Sequence, residues 1–391
     1  MNLNILKPEV QEFISKYLNF DITKIILKGS PFDNITIKEL ANQIVAKKKS
    51  QKKLPTWFSS KNIYYPNKIS IEQTSSEIAA DYKSKLISGK SIIDITGGFG
   101  VDCFYFSKQF EQVIHCEINS DLSTIVNYNY KQLNVENIKT IPQNGFEFLK
   151  ESNDCFDYIY IDPSRRNDIK GKVFLLKDCL PYIPPKIDFF FTKATFIVVK
   201  VSPILDITNT IKELKHVKSI HVVAVNNEVK ELLFLMENQY KDEIRIHTVN
   251  IRKNKIDTFD FTFQNKQKSS LSLPLTYLYE PNSAILKAGG FNQLCKSFNT
   301  DKLAENSHLY TSENKIDFPG RSFRVVENLP YDKKKIKKRF SKSKANITIR
   351  NFPKTVSQIR KEINIKDGGD TFIFCTTDLN GSLRFLICKK C

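Results

Sequence analysis

The stretch Ser91-Ile-Ile-Asp-Ile-Thr-Gly-Gly-Phe-Gly-Val-Asp102 decides the fold. Its opening run, Ile92 to Ile95, is apolar except for Asp94, stops at Thr96, and is followed by Gly97, Gly98 and Gly100. From Val101 to Phe110 the residues Val101, Phe104, Tyr105 and Phe106 recur at helical spacing. A strand, a tight glycine turn and a helix form the first unit of an open α/β sheet. The glycines let the chain turn sharply and leave room for a ligand above the strand end.

Outward from this turn, strands and helices alternate. Strands are expected at Ser91–Ile95, Gln112–Glu117, Ile138–Pro142, Asp157–Asp162 and Phe196–Val201, with helices at Leu122–Leu133 and Gly145–Lys150 between them. The alternation implies a largely parallel sheet with right-handed crossovers. Leu205–Leu214 is followed by strand candidates at Ser219–Val225 and Ile244–Ile251. The segment between them, Glu228–Glu237, reads equally as helix or strand, because its apolar run is short.

A chain of 391 residues should hold two or three domains. The net charge of +18 is unevenly placed: +7 over residues 1–90, −1 over 91–320 and +12 over 321–391. A near-neutral centre between basic ends suits a polyanion held by appended regions, though lysine-rich solvated faces give the same pattern. Of eight cysteines, only Cys388 and Cys391 form a C-x-x-C, terminal and without a second pair, so no metal is expected. Cys103, Cys116, Cys155 and Cys179 read as small core residues. Met1-Asn-Leu-Asn lacks a basic start and an apolar core, and no apolar run reaches membrane-spanning length. A reduced, cytoplasmic setting is the expectation.

The first fifty residues read as helical, with Val10, Phe13, Ile14 and Tyr17 on one face and Leu40, Ala41, Ile44 and Val45 on another. Lys47, Lys48, Lys49, Lys52 and Lys53 follow, and suit either a helix C-terminus or phosphate contact. Leu54–Pro66 is irregular and aromatic, suited to docking on a core or to base stacking. Thr74 and Glu77 have capping-box spacing before the helix through Ala79, Ala80, Tyr82 and Leu86. Towards the other end, Phe259, Phe261 and Phe263 alternate as a strand, Asn282 caps a helix over Ser283–Phe291, and His308–Ser312 and Arg321–Val325 read as strands. After the basic run Asp332–Lys344, a small module is expected: strand Ala345–Arg350, helix Thr355–Ile363, and a hairpin from Phe372–Thr376 to Arg384–Cys388.

Three further residues sharpen the glycine turn. Glu117 ends the next strand about twenty residues on, where a carboxylate can accept ribose hydroxyls. Asp94 precedes the turn, giving D-x-T-G-G-x-G rather than G-x-G-x-x-G; a carboxylate there repels pyrophosphate and suits a cationic amino-acid ligand. Tyr158-Ile-Tyr-Ile-Asp-Pro-Ser-Arg-Arg166 delivers Asp162-Pro163 to the same sheet edge. With these pieces in this order, residues 70–250 resemble the class I S-adenosylmethionine-dependent methyltransferases.

The resemblance implies a Rossmann-like α/β sheet and a cofactor site. Asp94 with the turn Thr96, Gly97, Gly98 and Gly100 would hold the methionine part, Glu117 the ribose and Asn144 the adenine. Gln73, Ser75, Asp102, Ile118 and Asp162 complete the implied cofactor set, Gln73 and Ser75 lying in a covering stretch before the first motif. Asp162, Pro163, Ser164 and Arg165 match the D/N-P-P-x motif near the transferred methyl. Ser164 and Arg165 depart from it, and Arg165 and Arg166 suit either a phosphate or pairing with Asp168 or Asp178. Lys200-Val-Ser-Pro203 is a second wall, or a snorkelling lysine before a helix starting at Pro203.

The segments Tyr279–Phe291, Asn306–Ser312, Phe318–Arg321 and Lys366–Asp370 are similar to a bacterial methyltransferase family with a ferredoxin-like insert and a C-terminal THUMP-like domain. That similarity implies a helical N-terminal region over 1–69, a methyltransferase domain over 70–272, a ferredoxin-like domain over 273–325 and a basic THUMP-like domain over 326–391, the last two small α+β folds. The expected activity is methylation of structured RNA, tRNA or rRNA, with Lys334, Lys335, Lys337, Lys338 and Arg339 on the nucleic acid. A methyltransferase for proteins or small molecules and a non-catalytic RNA-binding protein are the competing readings.

Overall fold

The computed structural model describes residues 1–165, 175–264 and 267–391; the side chain of Arg165 lies outside the described atoms, as do Arg166 and Asp168. The chain forms two compact units, residues 1–220 with 230–242, and residues 221–229 with 243–391.

The first unit opens with helices α1 (Pro8–Lys16), α2 (Ile22–Lys28), α3 (Ile37–Lys53), α4 (Pro55–Ser59), α5 (Lys68–Gln73) and α6 (Glu77–Ser84). Then come β1 (Gly89–Asp94), α7 (Val101–Phe106), β2 (Phe110–Cys116), α8 (Ser120–Gln132), β3 (Ile138–Ile141), α9 (Gly145–Glu151) and β4 (Phe156–Ile161). A two-residue strand β5 (Ser164–Arg165) pairs antiparallel with β6 (Cys179–Leu180), followed by α10 (Ile187–Lys193), β7 (Ala194–Val201) and α11 (Ile207–Glu213). β8 (Val217–Val225) and β9 (Glu228–Glu237) carry the chain between the units. Within this unit the strands lie in the order β9-β7-β4-β1-β2-β3. All pairs are parallel except β7–β9. The sheet is parallel-rich, as the alternation of strands and helices implies.

The N-terminal helices and one face of the sheet share a core that includes Ile14, Leu40, Ile44, Trp57, Tyr65, Phe106, Val113 and Tyr160. Trp57 is 1% exposed and packs edge-on to Phe104, so the aromatic segment docks on the core rather than offering a stacking platform. α3 runs on to Lys53 from a complete capping box at Thr36 and Glu39. Lys53 Nζ donates to the carbonyls of Ile71 and Glu72, 2.9 and 2.7 Å away, which ties α5 to α3.

Several expectations are corrected. Thr74 and Glu77 do not form a capping box: Ser76 caps α6, while Glu77 accepts from Thr56 and Tyr105. α7 ends at Phe106, so the helix does not reach Phe110, which starts β2. Glu228–Glu237 is a strand; its buried run Glu231–Phe234 faces the antiparallel partner β7. Cys155 is exposed, at the entry to β4. Asp206 caps α11, so no helix begins at Pro203.

The second unit contains the antiparallel hairpin of β10 (Arg245–Arg252) and β11 (Lys255–Thr262). It continues with β12 (Tyr277–Pro281), α12 (Ser283–Ala288), α13 (Phe291–Phe298), β13 (Asp301–Lys302), β14 (Tyr310–Ser312), β15 (Gly320–Pro330), α14 (Lys333–Phe340), β16 (Asn346–Arg350), α15 (Val356–Ile363), β17 (Thr371–Thr377) and β18 (Leu383–Lys390). The expected helix Ser283–Phe291 is broken, because Gly289 adopts a left-handed conformation (φ +80°) and ends α12. Seven strands form one sheet, β13-β14-β12-β15-β18-β17-β16. The face covered by α14 and α15 buries Ile336, Ile347, Ile359, Ile363, Ile373 and Phe385.

Candidate functional site

β1 lies between β2 and β4, and the chain's chemistry gathers where these strands end. Asp94, the last residue of β1, is 2% exposed. Its Oδ1 accepts from Thr96 N at 2.8 Å and from Thr96 Oγ1 at 2.9 Å. Thr96 Oγ1 in turn accepts from Asp162 N at 2.7 Å, which ties the ends of β1 and β4 together. Gly98 N donates to Glu117 Oε2 at 2.9 Å, and Asn119 N donates to Glu117 Oε1 at 2.7 Å. The Glu117 carboxylate therefore holds the turn itself, and each oxygen keeps a further lone pair.

The glycines differ in what they permit. A Cβ at Gly97 would meet the His115 ring at 2.3 Å, and one at Gly100 would meet Tyr130 Oη at 2.1 Å. A Cβ at Gly98 would meet nothing nearer than Thr96 O at 3.8 Å, so open space lies above that residue. His115 supports the turn from below: its Nε2 lies 3.3 Å from Gly98 O, and burial pushes its pKa down to about 4, which keeps the ring neutral.

A buried ionic network adjoins the turn. Lys83, 2% exposed, donates to Glu231 Oε2 at 2.7 Å and to Ser75 Oγ at 3.0 Å. Ser75 Oγ donates to Asp102 Oδ2 at 2.9 Å, as does Tyr160 Oη at 2.9 Å. Asp102 Oδ1 is 3.1 Å from Lys83 Nζ but, among the described residues, accepts no hydrogen bond. Lys200 Nζ reaches Ser75 Oγ at 3.3 Å and forms an ion pair with Asp162 Oδ2. Lys200, half-buried, is thus a partner of the motif carboxylate, not a snorkelling lysine.

Protonation follows from this geometry. Burial pushes Asp94 up to about 7, against its bonds from Thr96. Burial would also raise Asp102, but Lys83 and Lys200 outweigh it and hold that carboxyl below its usual range. Burial would lower Lys200, but Asp162, Asp102 and Glu231 outweigh it and keep the ammonium firmly protonated. Glu231 is raised, chiefly by burial. Four carboxyl groups, Asp94, Asp102, Asp162 and Glu231, thus gather with two ammonium groups, Lys83 and Lys200.

One hydrogen-bonded path therefore joins five predicted residues, Asp94, Thr96, Asp162, Ser75 and Asp102, and Glu117 joins them through Gly98. Pro163 is half-buried beside them, and Ser164 is exposed. Gln73 and Ile118 are exposed; Asn144 Oδ1 caps α9 by accepting from Phe146 N and Glu147 N. The sequence reading missed Lys83 and Glu231, whose pairing spans 148 positions and leaves no local signal. In the second unit Lys334, Lys335, Lys337 and Lys338 are exposed along α14, whereas Arg339 is paired with Glu327. Among the described residues no cluster suited to a metal ion occurs, and no helix is long and apolar enough to cross a membrane.

Comparison with known proteins agrees with this organisation. A family model for a ferredoxin-like domain matches residues 277–319, and one described as THUMP domain-like matches residues 320–390. No curated protein matches the chain. The crystal structure of a "putative methyltransferase" from Porphyromonas gingivalis W83 superposes with TM-score 0.85 at 30% identity, over 99% of this chain and 98% of that one. A Streptococcus mutans "putative methyltransferase" in complex with SAH covers 41% of this chain and 96% of its own, at 15% identity and TM-score 0.31. TrmK from M. capricolum, also with S-adenosylhomocysteine, covers 42% and 70% at 18% identity and TM-score 0.33. These last two likenesses are too slight to transfer anything. The whole-length match settles kinship: the chain belongs to the class I methyltransferase family that carries a ferredoxin-like domain and a C-terminal THUMP-like domain.

Proposed function

We propose that the chain is an S-adenosylmethionine-dependent methyltransferase that methylates structured RNA, tRNA or rRNA. The observation that carries this reading is the edge formed by Asp94, Thr96 and Asp162 beside the open space at Gly98. The residues present fit the cofactor: an uncrowded glycine backbone, a carboxylate with free lone pairs at Glu117, and the carboxyl groups of Asp94 and Asp162 at the ends of the adjoining strands. When bound, S-adenosylmethionine supplies a methyl group already activated on its sulfonium. The protein is then asked mainly to position the acceptor. Asp162 does this at the end of β4; Lys200 holds its Oδ2, and Oδ1, without a hydrogen bond among the described residues, accepts one from the acceptor. The exposed lysines of α14 and the excess of +12 over residues 321–391 support an RNA substrate.

Transfer of radiolabelled methyl to total RNA from a strain lacking this protein, followed by nucleoside analysis, tests the reading. Label in one modified nucleoside is expected. Label in protein, with none in RNA, would replace this substrate with the competing one.

A further inference from the structure

The second unit holds a charged cluster that the chemistry above leaves unused. Glu280, in β12, is 4% exposed. Its Oε2 accepts from Arg321 Nε at 2.6 Å and also from Arg321 Nη2, while its Oε1 accepts from Arg350 Nη2 at 2.7 Å. Arg321 stands opposite Glu280 across the β12–β15 pair, and Arg350 ends β16. One buried carboxylate thus fixes two guanidinium groups, whose side chains remain 40% and 34% exposed.

The pair keeps donors in reserve. Arg350 Nε is buried and has no hydrogen-bond partner among the described residues, and its Nη1 reaches only the adjoining Ile349 O at 3.2 Å. Arg321 directs both Nε and Nη2 at a single oxygen, so its Nη1 is not used by Glu280. His308, close enough for Arg350 to act on its titration, stacks on Phe291 at 3.7 Å. Burial first, then Lys302 and Arg350, lowers its pKa, so the ring adds no charge.

Two planar guanidinium groups, fixed in place, partly exposed and carrying one charge more than the carboxylate between them, leave Arg321 Nη1 and the outer N–H groups of both Nη2 atoms beyond Glu280, and fixed charged donors of this kind suit phosphate oxygens. The exposed lysines of α14 are flexible point charges by comparison. We propose that Arg321 and Arg350, organised by Glu280, form a phosphate site that takes a backbone phosphate of the RNA. The proposal rests on the RNA reading above and locates one docking contact within it.

The test is binding of a fluorescein-labelled tRNA transcript to the full chain over a salt series. Arg321→Gln and Arg350→Gln should each reduce the slope of log affinity against log salt by about 1. Arg350→Lys, which keeps the charge, should bind more weakly than wild type at constant salt while melting within a few degrees of it. Glu280→Gln adds positive charge but removes the organiser: weaker binding supports the site, and tighter binding would overturn it. Unchanged slope and affinity in both arginine variants would also overturn it. If the wild-type chain itself does not bind the transcript, the RNA reading fails, and the phosphate site fails with it.

Discussion

Gly100 sits at φ +76° with Tyr130 Oη 2.1 Å from where a Cβ would stand. Gly100→Ala combines a left-handed backbone with a side-chain clash, so a loss of about 2–4 kcal/mol is expected in denaturant melts. Asp94 gives the clearest pH effect. Its folded pKa, about 7, lies above its ordinary 3.8, so the folded state holds the proton more tightly between those values. Its contribution to stability is complete below pH 3.8 and is lost as pH rises through 7. The difference is on the order of 4 kcal/mol. Asp94→Asn keeps an acceptor for Thr96 and cannot ionise. Its melting temperature should match wild type near pH 4 and exceed it at pH 8; equal melting at both would refute the assignment. His115 works in the opposite direction, since burial depresses its pKa to about 4, so the comparison between variant and wild type isolates Asp94.

At the scale of elements, the ionic network joins α6, α7, β4, β7 and β9 within the first unit. Lys83→Met would leave Glu231 and Asp102 without their shared cation, which should cost roughly 3–5 kcal/mol. The double variant Lys83→Met/Glu231→Gln should recover part of that, and a purely additive cycle would show that the pair is not coupled. Lys200→Met should lower methyl transfer, because the Asp162 carboxylate loses the ammonium that holds and orients it; Lys200→Arg should restore part of the rate. Unchanged transfer in Lys200→Met would remove Lys200 from the positioning role. These contrasts also explain what the sequence discloses. The turn, Glu117 and Asp162 are legible because each lies at a strand end with local chemistry. Lys83 and Glu231 meet only through the fold, and Glu231 lies in a run whose helix or strand character the β7 partner decides. The pairing of Thr74 with Glu77 failed because Ser76 competed for the same helix start and Glu77 found Thr56 and Tyr105 instead.

At the scale of the molecule, charge and kinship divide the task. The whole-length match establishes the methyltransferase family, and the basic excess lies in the segment matched as THUMP-like. Electrostatic docking there predicts that affinity for RNA falls steeply between low and moderate salt, by powers of ten if several phosphates are contacted; flat binding would contradict it. The central claim, however, concerns the glycine turn. It is tested most directly by calorimetric titration of the full chain with S-adenosylmethionine, beside Gly98→Arg. The space above Gly98 lets the arginine fold into place, at a cost limited to its φ of +56°, while filling the volume assigned to the cofactor. Saturable one-site binding by the wild type, absent in a Gly98→Arg variant that still melts cooperatively, is the predicted result. Absence of binding by the wild type, or equal binding by both, would contradict the account.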